Sequence, residues 1–297
     1  MLLVTLVSYC SLERAYLDAI VRNARLFSDL VVICVGTRLY TGESEDLSFP
    51  AGAVAEEDPD SGLGAVITAM YEVSTAALAT PVLLHNAARE TGVLAARKWT
   101  RHEPFWTLML DGDEVPDGHA VRRWWTGPKG HEVRRMGSGC MYKMANHWAF
   151  LSPRLVADQA EDSVLLVHSD MLSRDALRHP RERDGVYLWH QTSPLGLNDV
   201  RVLRDVRDDE SRQPMFWHFS WVRLRPDGSE DAATGRAALK AKVANWGHRD
   251  DCDWAARIDA AFDILDVDAG RFPERDFVHG HKLILLPSLP GVLTLRC

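Results

Sequence analysis

The stretch FWTLMLDGDEVPDG, residues 105 to 118, constrains the fold more than any other part of the chain. Phe105, Trp106, Leu108, Met109 and Leu110 form a short apolar run, and Asp111, Asp113, Glu114 and Asp117 crowd its exit. An apolar run of this length bounded by turn residues reads as a strand buried on both faces, which belongs in a sheet covered by helices on both sides. The C-terminal end of such a strand is where open α/β sheets bind ligands. Side chains alternate along a strand, so Asp111 and Asp113 point the same way if the extended geometry persists past the apolar run. Two carboxylates that converge at a strand end call for a cation between them, whereas a plain acidic turn would leave them solvated.

The segments before this strand repeat the same theme. Leu2 to Val7 has a buried-strand pattern; Ser11 is a candidate N-cap, with Glu13 in the first helical turn, and Leu12, Tyr16, Ala19, Ile20, Ala24 and Phe27 follow helical spacing. Leu30 to Val35 predicts a second strand ended by Gly36, and residues 37 to 62 predict a loop. A second helix is expected over Leu63 to Ala79, then a short strand over Val82 to Leu84, then a third helix capped by Asn86 and reaching His102. Strand and helix in alternation imply a parallel sheet with helices on both faces. After Gly118 the pattern loosens: residues 131 to 175 mix strand-like pieces with turns, and residues 176 to 214 predict loops with a short strand at Val186 to Trp189. Phe216 to Leu224 is strand-like, and Ala232 to Leu265 is helical with a break near Gly247. The tail KLILLPSLPGVLTLRC is apolar and proline-broken, suited to packing on the core, a partner or a membrane surface.

Composition narrows the function classes. A chain of 297 residues accommodates one large α/β domain or two small ones. Its net charge of −8 argues against a general nucleic-acid binder, although a local basic pocket could still hold a phosphate. Five widely spaced cysteines without a C-x-x-C or zinc-like spacing predict reduced thiols in a cytoplasmic protein. No segment reaches transmembrane length, and peripheral membrane contact stays open.

Three segments, VTLVSYCSLERAYLDAIVRNA, HNAARETGVLAARKW and LMLDGDEVPDG, in this order and spacing, resemble the nucleotide-sugar-binding half of glycosyltransferases with the GT-A fold, and the family-2 group in particular. The resemblance covers residues 1 to 125 and, through FWHFSWVRL with Lys240, Lys242 and NWGH, part of 215 to 250; residues 126 to 214 match nothing. It implies a single large α/β domain built on a Rossmann-like, mostly parallel sheet flanked by helices. Residues 1–125 would bind the nucleotide sugar, 126–265 would bind the acceptor and close the site, and 266–297 would be a tail. By the same resemblance Val7, Ser8 and Tyr9 contact the nucleotide. Asn86, Arg89 and Gly92 match an N-x-x-R-x-x-G element, and Asp111, Gly112 and Asp113 match the DxD motif. The implied donor is a nucleoside-diphosphate sugar, UDP- or GDP-linked, and the acceptor a glycan, protein or lipid hydroxyl.

The chemistry of the residues points the same way. Sugar transfer from a nucleoside diphosphate builds negative charge on the leaving group, which a divalent metal neutralises, and hard Mn2+ or Mg2+ takes carboxylate and phosphate oxygens. Asp113 is the expected direct ligand; by the resemblance, Asp111 lies nearer the ribose or reaches the metal through water. Gly112 leaves the backbone open to the nucleotide, and Arg89 pairs with a phosphate or with the DxD carboxylates. Lys242 and His248 could reach phosphate from the long helix. His218 shares a strand face with Ser220 by alternation and is the expected third metal ligand. Asp199 is the expected catalytic base, with Glu161 and Asp162 as alternatives, and His190 could face the acceptor or diphosphate. Trp124, Trp125, Trp148, Trp189, Trp217 and Trp221 could supply a sugar-stacking platform or simply fill the core. Two other readings compete. LMLDGDEV also fits the hhhDxDxV nucleophile motif of haloacid-dehalogenase-like phosphatases, with Asp111 attacking phosphorus, and the chain could equally be a non-catalytic nucleotide-sugar-binding module. A calcium loop fits less well, since D-G-D-E-V lacks the twelve-residue ligand spacing.

Overall fold

The apolar runs line up as strands of one sheet. In the computed structural model, which describes residues 1–39, 42–48, 63–73, 81–136, 140–172, 201–224, 232–244 and 252–294, β1 (Leu2–Tyr9) lies between β2 (Leu30–Gly36) and β4 (Phe105–Asp111), parallel to both. β3 (Ala65–Tyr71) extends this parallel set beyond β2. The rest of the sheet comes from β5 (Glu114–Pro116), β6 (Cys140–Phe150), β7 (Ser152–Ala157), β8 (Glu161–His168), β9 (Arg201–Val206), β10 (Phe216–Trp221) and β11 (Leu283–Leu285). Its main path runs β11-β7-β6-β8-β4-β1-β2-β3, with β9 and β10 joined to β6, and β5 joined to β10.

The sheet is mixed, not mostly parallel. β8 runs antiparallel to both β4 and β6, and β7 antiparallel to β6 and β11. The cause is connection length: only Leu151 separates β6 from β7, too little chain for the crossover that a parallel neighbour needs. Leu151 makes that reversal in the left-handed region, at φ 68, and its N–H is held by the Trp221 carbonyl at 2.8 Å.

Helices cover both faces of the parallel set. On one side α1 (Arg14–Arg25) and α3 (Gly118–Thr126) bury Tyr16, Leu17, Ile20, Trp124 and Trp125 against Leu3, Val7, Ile33, Trp106, Leu108 and Leu110. On the other, α2 (Pro81–Trp99) packs Ala88, Val93 and Ala96 on Val4, Leu6, Cys34 and Met109. The odd–even split of β4 residues between these cores is the period of two made physical. Beyond α4 (Pro128–Met136), a third core forms where α5 (Ala232–Ala244) and α6 (Trp254–Asp263) lie on Phe150, Trp221 and Leu283. The tail packs back: β11 pairs with β7, and Val292 of α7 (Gly291–Thr294) is buried, with its carbonyl accepting from Asn23 Nδ2 at 3.2 Å.

Several expected elements differ. The helix foreseen over Leu63 to Ala79 is strand β3 as far as it is described: its β-branched Val66, Ile67 and Thr68 favour the extended backbone, and β2 offers a free edge with Leu30 opposite Ala65. The strand foreseen at Val82 to Leu84 lies inside α2, which starts at Pro81 rather than at an Asn86 cap; proline suits a first helical position because its missing N–H would have no partner there. That helix ends at Trp99, short of His102. Ser11 does not cap α1. Cys10 caps a short 3-10 turn, Ser11–Glu13, and Glu13 precedes the α-helix. The strand at Val186 to Trp189 and the break at Gly247 lie outside the described residues. Among the described residues no helix is long and apolar enough to cross a membrane.

Candidate functional site

Ser8 of β1 and Asp111 of β4 sit opposite each other in register. From β1 the chain proceeds outward to β2 and β3 and then returns to β4 on the other side. The C-terminal ends of β1 and β4 therefore form the switch point where α/β sheets leave a crevice. The extended backbone stops at Asp111. Gly112 and Asp113 turn, and β5 then pairs antiparallel with β10, placing His218 opposite Glu114. The Phe219 N–H also donates to the Asp113 carbonyl at 2.9 Å, so β10 is clamped over the turn. Tyr16 of α1 reinforces the clamp, stacking on Phe219 at 5.2 Å and donating to the Val222 carbonyl at 2.9 Å. A side chain at residue 112 would run into Glu13 Oε2 and the Ser8 carbonyl, so glycine is required by close approach.

The two aspartates of the motif occupy different environments, contrary to the same-side expectation, because the turn at Gly112 breaks the alternation. Asp111 is open, its side chain 36% exposed, with Oδ1 3.6 Å from Arg89 Nη2. Asp113 is buried, its side chain 4% exposed, and is surrounded by cations. Its Oδ2 accepts from Lys242 Nζ at 2.9 Å and lies 3.9 Å from Arg223 Nη2, while Oδ1 lies 3.2 Å from His218 Nε2. Burial pushes the Asp113 carboxyl up, but Lys242, His218 and Arg223 prevail and hold it well below the usual carboxylate range. The His218 ring responds in kind: burial lowers it, and Asp113 and Glu114 raise it further, for a net rise. Lys242 is held in turn by Ser220, donating to its carbonyl at 3.0 Å and to its hydroxyl at 2.7 Å.

Glu114 organises the back of the site. Oε2 accepts from the Asp111 N–H at 3.0 Å, and Oε1 accepts from Asn146 Nδ2 at 3.1 Å and from the Ser163 hydroxyl. His218 Nδ1 is 3.7 Å from the same Oε1. Burial raises the Glu114 carboxyl above its ordinary value, with Asp111 adding to the rise.

Glu13 lies over Gly112, and burial together with the neighbouring Asp113 carboxylate pushes its carboxyl up to about 8 from 4.5. The folded protein thus keeps a proton that the unfolded chain releases. Glu13's contribution to stability is complete below pH 4.5 and is lost as pH rises to about 8. The melting temperature is expected to fall over that window, and Glu13→Gln to flatten the fall. His218, also raised, adds its own loss only above its ordinary value of 6.5. A Glu13→Gln variant that melts with the wild-type pH slope would show that Glu13 is charged in the folded state.

The structure brings Asp113, His218, Ser220 and Lys242 together, and separately pairs Arg89 with Asp111. Val7 is wholly buried in the core and offers the crevice only its backbone; Tyr9 is buried and Ser8 half-buried. Gly92 sits where α2 packs on the sheet: a Cβ there would meet Cys34 Sγ at 2.6 Å and Leu6 Cδ2 at 3.1 Å. Glu161 is bonded to His281 Nε2 at 2.6 Å, and Asp162 is half-buried at the start of β8. Asp199, His190, Trp189 and His248 lie outside the described residues. Trp124, Trp125 and Trp221 are core residues, whereas Trp148 and Trp217 are half-buried, the Trp148 ring lying tilted against His218 with centroids 4.0 Å apart. Among the described residues no group of three or more His, Cys, Asp or Glu side chains is arranged to hold a metal ion.

Sequence reasoning missed Arg223, Asn146 and Ser163 altogether, and gave Glu13 and Glu114 no role in the site. Glu114 carried a signal, an acid directly after the motif; Arg223, one turn beyond an aromatic strand, carried none. No protein-family model matches the chain, and comparison with curated proteins gives no match.

Proposed function

We propose that the chain is a glycosyltransferase that binds a nucleoside-diphosphate sugar, UDP- or GDP-linked, at the C-terminal ends of β1 and β4 and passes the sugar to a glycan, protein or lipid hydroxyl. The observation that carries this reading is the Asp111-Gly112-Asp113 turn at the switch point, open at Asp111 and flanked by Arg89, Lys242 and Arg223. Asp111 can accept hydroxyl donors from a ribose. Gly112 lets the chain turn closely past Ser8 and Glu13, which keeps Asp111 at the mouth of the crevice. When the bond between sugar and diphosphate breaks, the electron pair stays on the diphosphate, and fixed positive charge at that position lowers the barrier.

A divalent cation fits the described residues poorly. Both Asp113 oxygens are engaged, one by Lys242 and one by His218, and an entering metal would meet those cations and Arg223 at close range. The His218 nitrogen nearest the carboxylate, Nε2, faces Asp113 itself rather than a shared vacant position. The reading therefore contains no step through a metal.

A thermal-shift screen of UDP-, GDP-, CMP- and dTDP-sugars tests it. A sugar nucleotide at a hundredfold excess over its Kd stabilises by about 2.7 kcal/mol, a rise of roughly 4 °C for a domain of this size. Asp111→Asn is expected to remove that rise while leaving the unliganded melting temperature nearly unchanged, since Asp111 is part exposed. No shift with any nucleotide sugar, accompanied by steady hydrolysis of a generic phosphate ester, would replace this reading with the phosphatase one.

A further inference from the structure

The cations around Asp113 outnumber it. Lys242, His218 and Arg223 all lie within 3.9 Å of one carboxylate. His218 is shared with a second carboxylate, its Nδ1 lying 3.7 Å from Glu114 Oε1, and Glu13 nearby holds its proton near neutrality. Lys242 and Arg223 are then left to share Asp113, and buried charge without a counter-ion is costly, so the cluster has room for a further anion. A second observation is independent of that count. Arg223 is 7% exposed, and while its Nη1 donates to the Val222 carbonyl at 3.0 Å, its Nε and Nη2 are buried with no hydrogen-bond partner. Adjacent guanidinium N–H groups form the fork that matches two oxygens of a phosphate. Orphaned buried donors are rare enough in folded proteins to require a cause.

Resting on the donor reading above, we propose that Arg223 and Lys242 bind the diphosphate of the nucleotide in place of a divalent cation. The two residues divide the task. Lys242 already spends its three N–H groups on Asp113 and Ser220, so it acts as a fixed positive charge. Arg223 supplies the unsatisfied donors. Asp113 is a positioning residue: it holds the cations apart and in place, and its carboxylate is not offered to the ligand. The D-x-D spelling is thus kept while the charge logic of the site is inverted, from carboxylates that hold a metal to a carboxylate that holds amines.

Calorimetric titration of the full chain with UDP and with GDP, in EDTA and in Mn2+, tests the assignment. The nucleotide that binds is expected to do so with Kd values within about threefold in the two media. Arg223→Lys, which keeps the charge but loses the fork, is expected to weaken binding about tenfold or more in both. Binding that vanishes in EDTA and returns with Mn2+ overturns the inference and leaves the donor reading standing. Wild-type affinity in Arg223→Lys also overturns it. Failure of both nucleotides to bind in either medium overturns the inference and the donor reading together. Should Arg223→Lys not fold, the comparison of media on the wild-type protein still decides.

Discussion

Asp113→Asn is expected to cost about 3–5 kcal/mol of folding stability, the range for removing one partner of a buried ion pair. The carboxylate is buried and faces Lys242, His218 and Arg223, and a neutral amide leaves these cations uncompensated, His218 and Arg223 in buried positions and Lys242 in a partly exposed one. Reading Asp113 as a solvated metal ligand leads to the opposite expectation, a variant that folds normally and loses only metal-dependent binding. Urea unfolding separates the two through the midpoint. A second variant sharpens the test: adding Lys242→Met to Asp113→Asn removes one orphaned cation and should recover part of the loss, so the two changes are non-additive. A loss below about 1 kcal/mol, the scale of an exposed pair, would show that water screens the cluster.

Gly92→Val is expected to destabilise by about 3 kcal/mol, the upper end for overpacking a filled core. The glycine lets α2 lie directly on β1 and β2, where even a Cβ would sit 2.6 Å from Cys34 Sγ. Cys34 is buried, and burial pushes its thiol up to about 12, so it behaves there as a small apolar group. Cys34→Ala should therefore rescue part of the Gly92→Val loss, whereas Leu6, 3.1 Å away, limits the recovery. Any effect on nucleotide affinity per folded molecule should be small. An intact melting temperature with weakened nucleotide binding would return Gly92 to the ligand crevice.

The parts of the fold legible in the chain are those whose physics is local. β1, β2 and β4 are mostly apolar and bounded by turn residues, so their burial on both faces is visible without knowing their neighbours. β3 was misread because Leu63, Val66, Ile67, Met70 and Tyr71 also satisfy helical spacing; what decides the matter is the edge that β2 presents, a partner 35 residues away, as in Leu30 opposite Ala65. The reversal from β6 to β7 is local, set by the single residue that joins them, but the antiparallel placing of β8 beside β4 has the same distant origin as β3, since it depends on which strands become neighbours. At the site, alternation in F-W-H-F-S-W put His218 and Ser220 on one face, and the motif located Asp111 and Asp113. The charge environment of Asp113 was not legible. A carboxylate that will meet Lys242 is spelled like one that will meet a metal, and the distinction lies in residues more than a hundred positions away.

That separation has a consequence in time. Asp113 and Lys242 are 129 residues apart in the chain, and at about 5–20 residues per second of synthesis the carboxylate waits roughly 6–26 seconds for its lysine. His218, which pairs through β10 with β5, arrives only shortly before. Until then the β1–β4 layer can assemble from near neighbours and Asp111 can meet Arg89, but Asp113 lacks the cations that surround it in the folded protein, and long-range closure of this kind is slow in refolding as well. The crevice thus acquires its charge balance only once residue 242 has been made, and a nascent chain halted before that point carries the motif without the environment that gives it meaning.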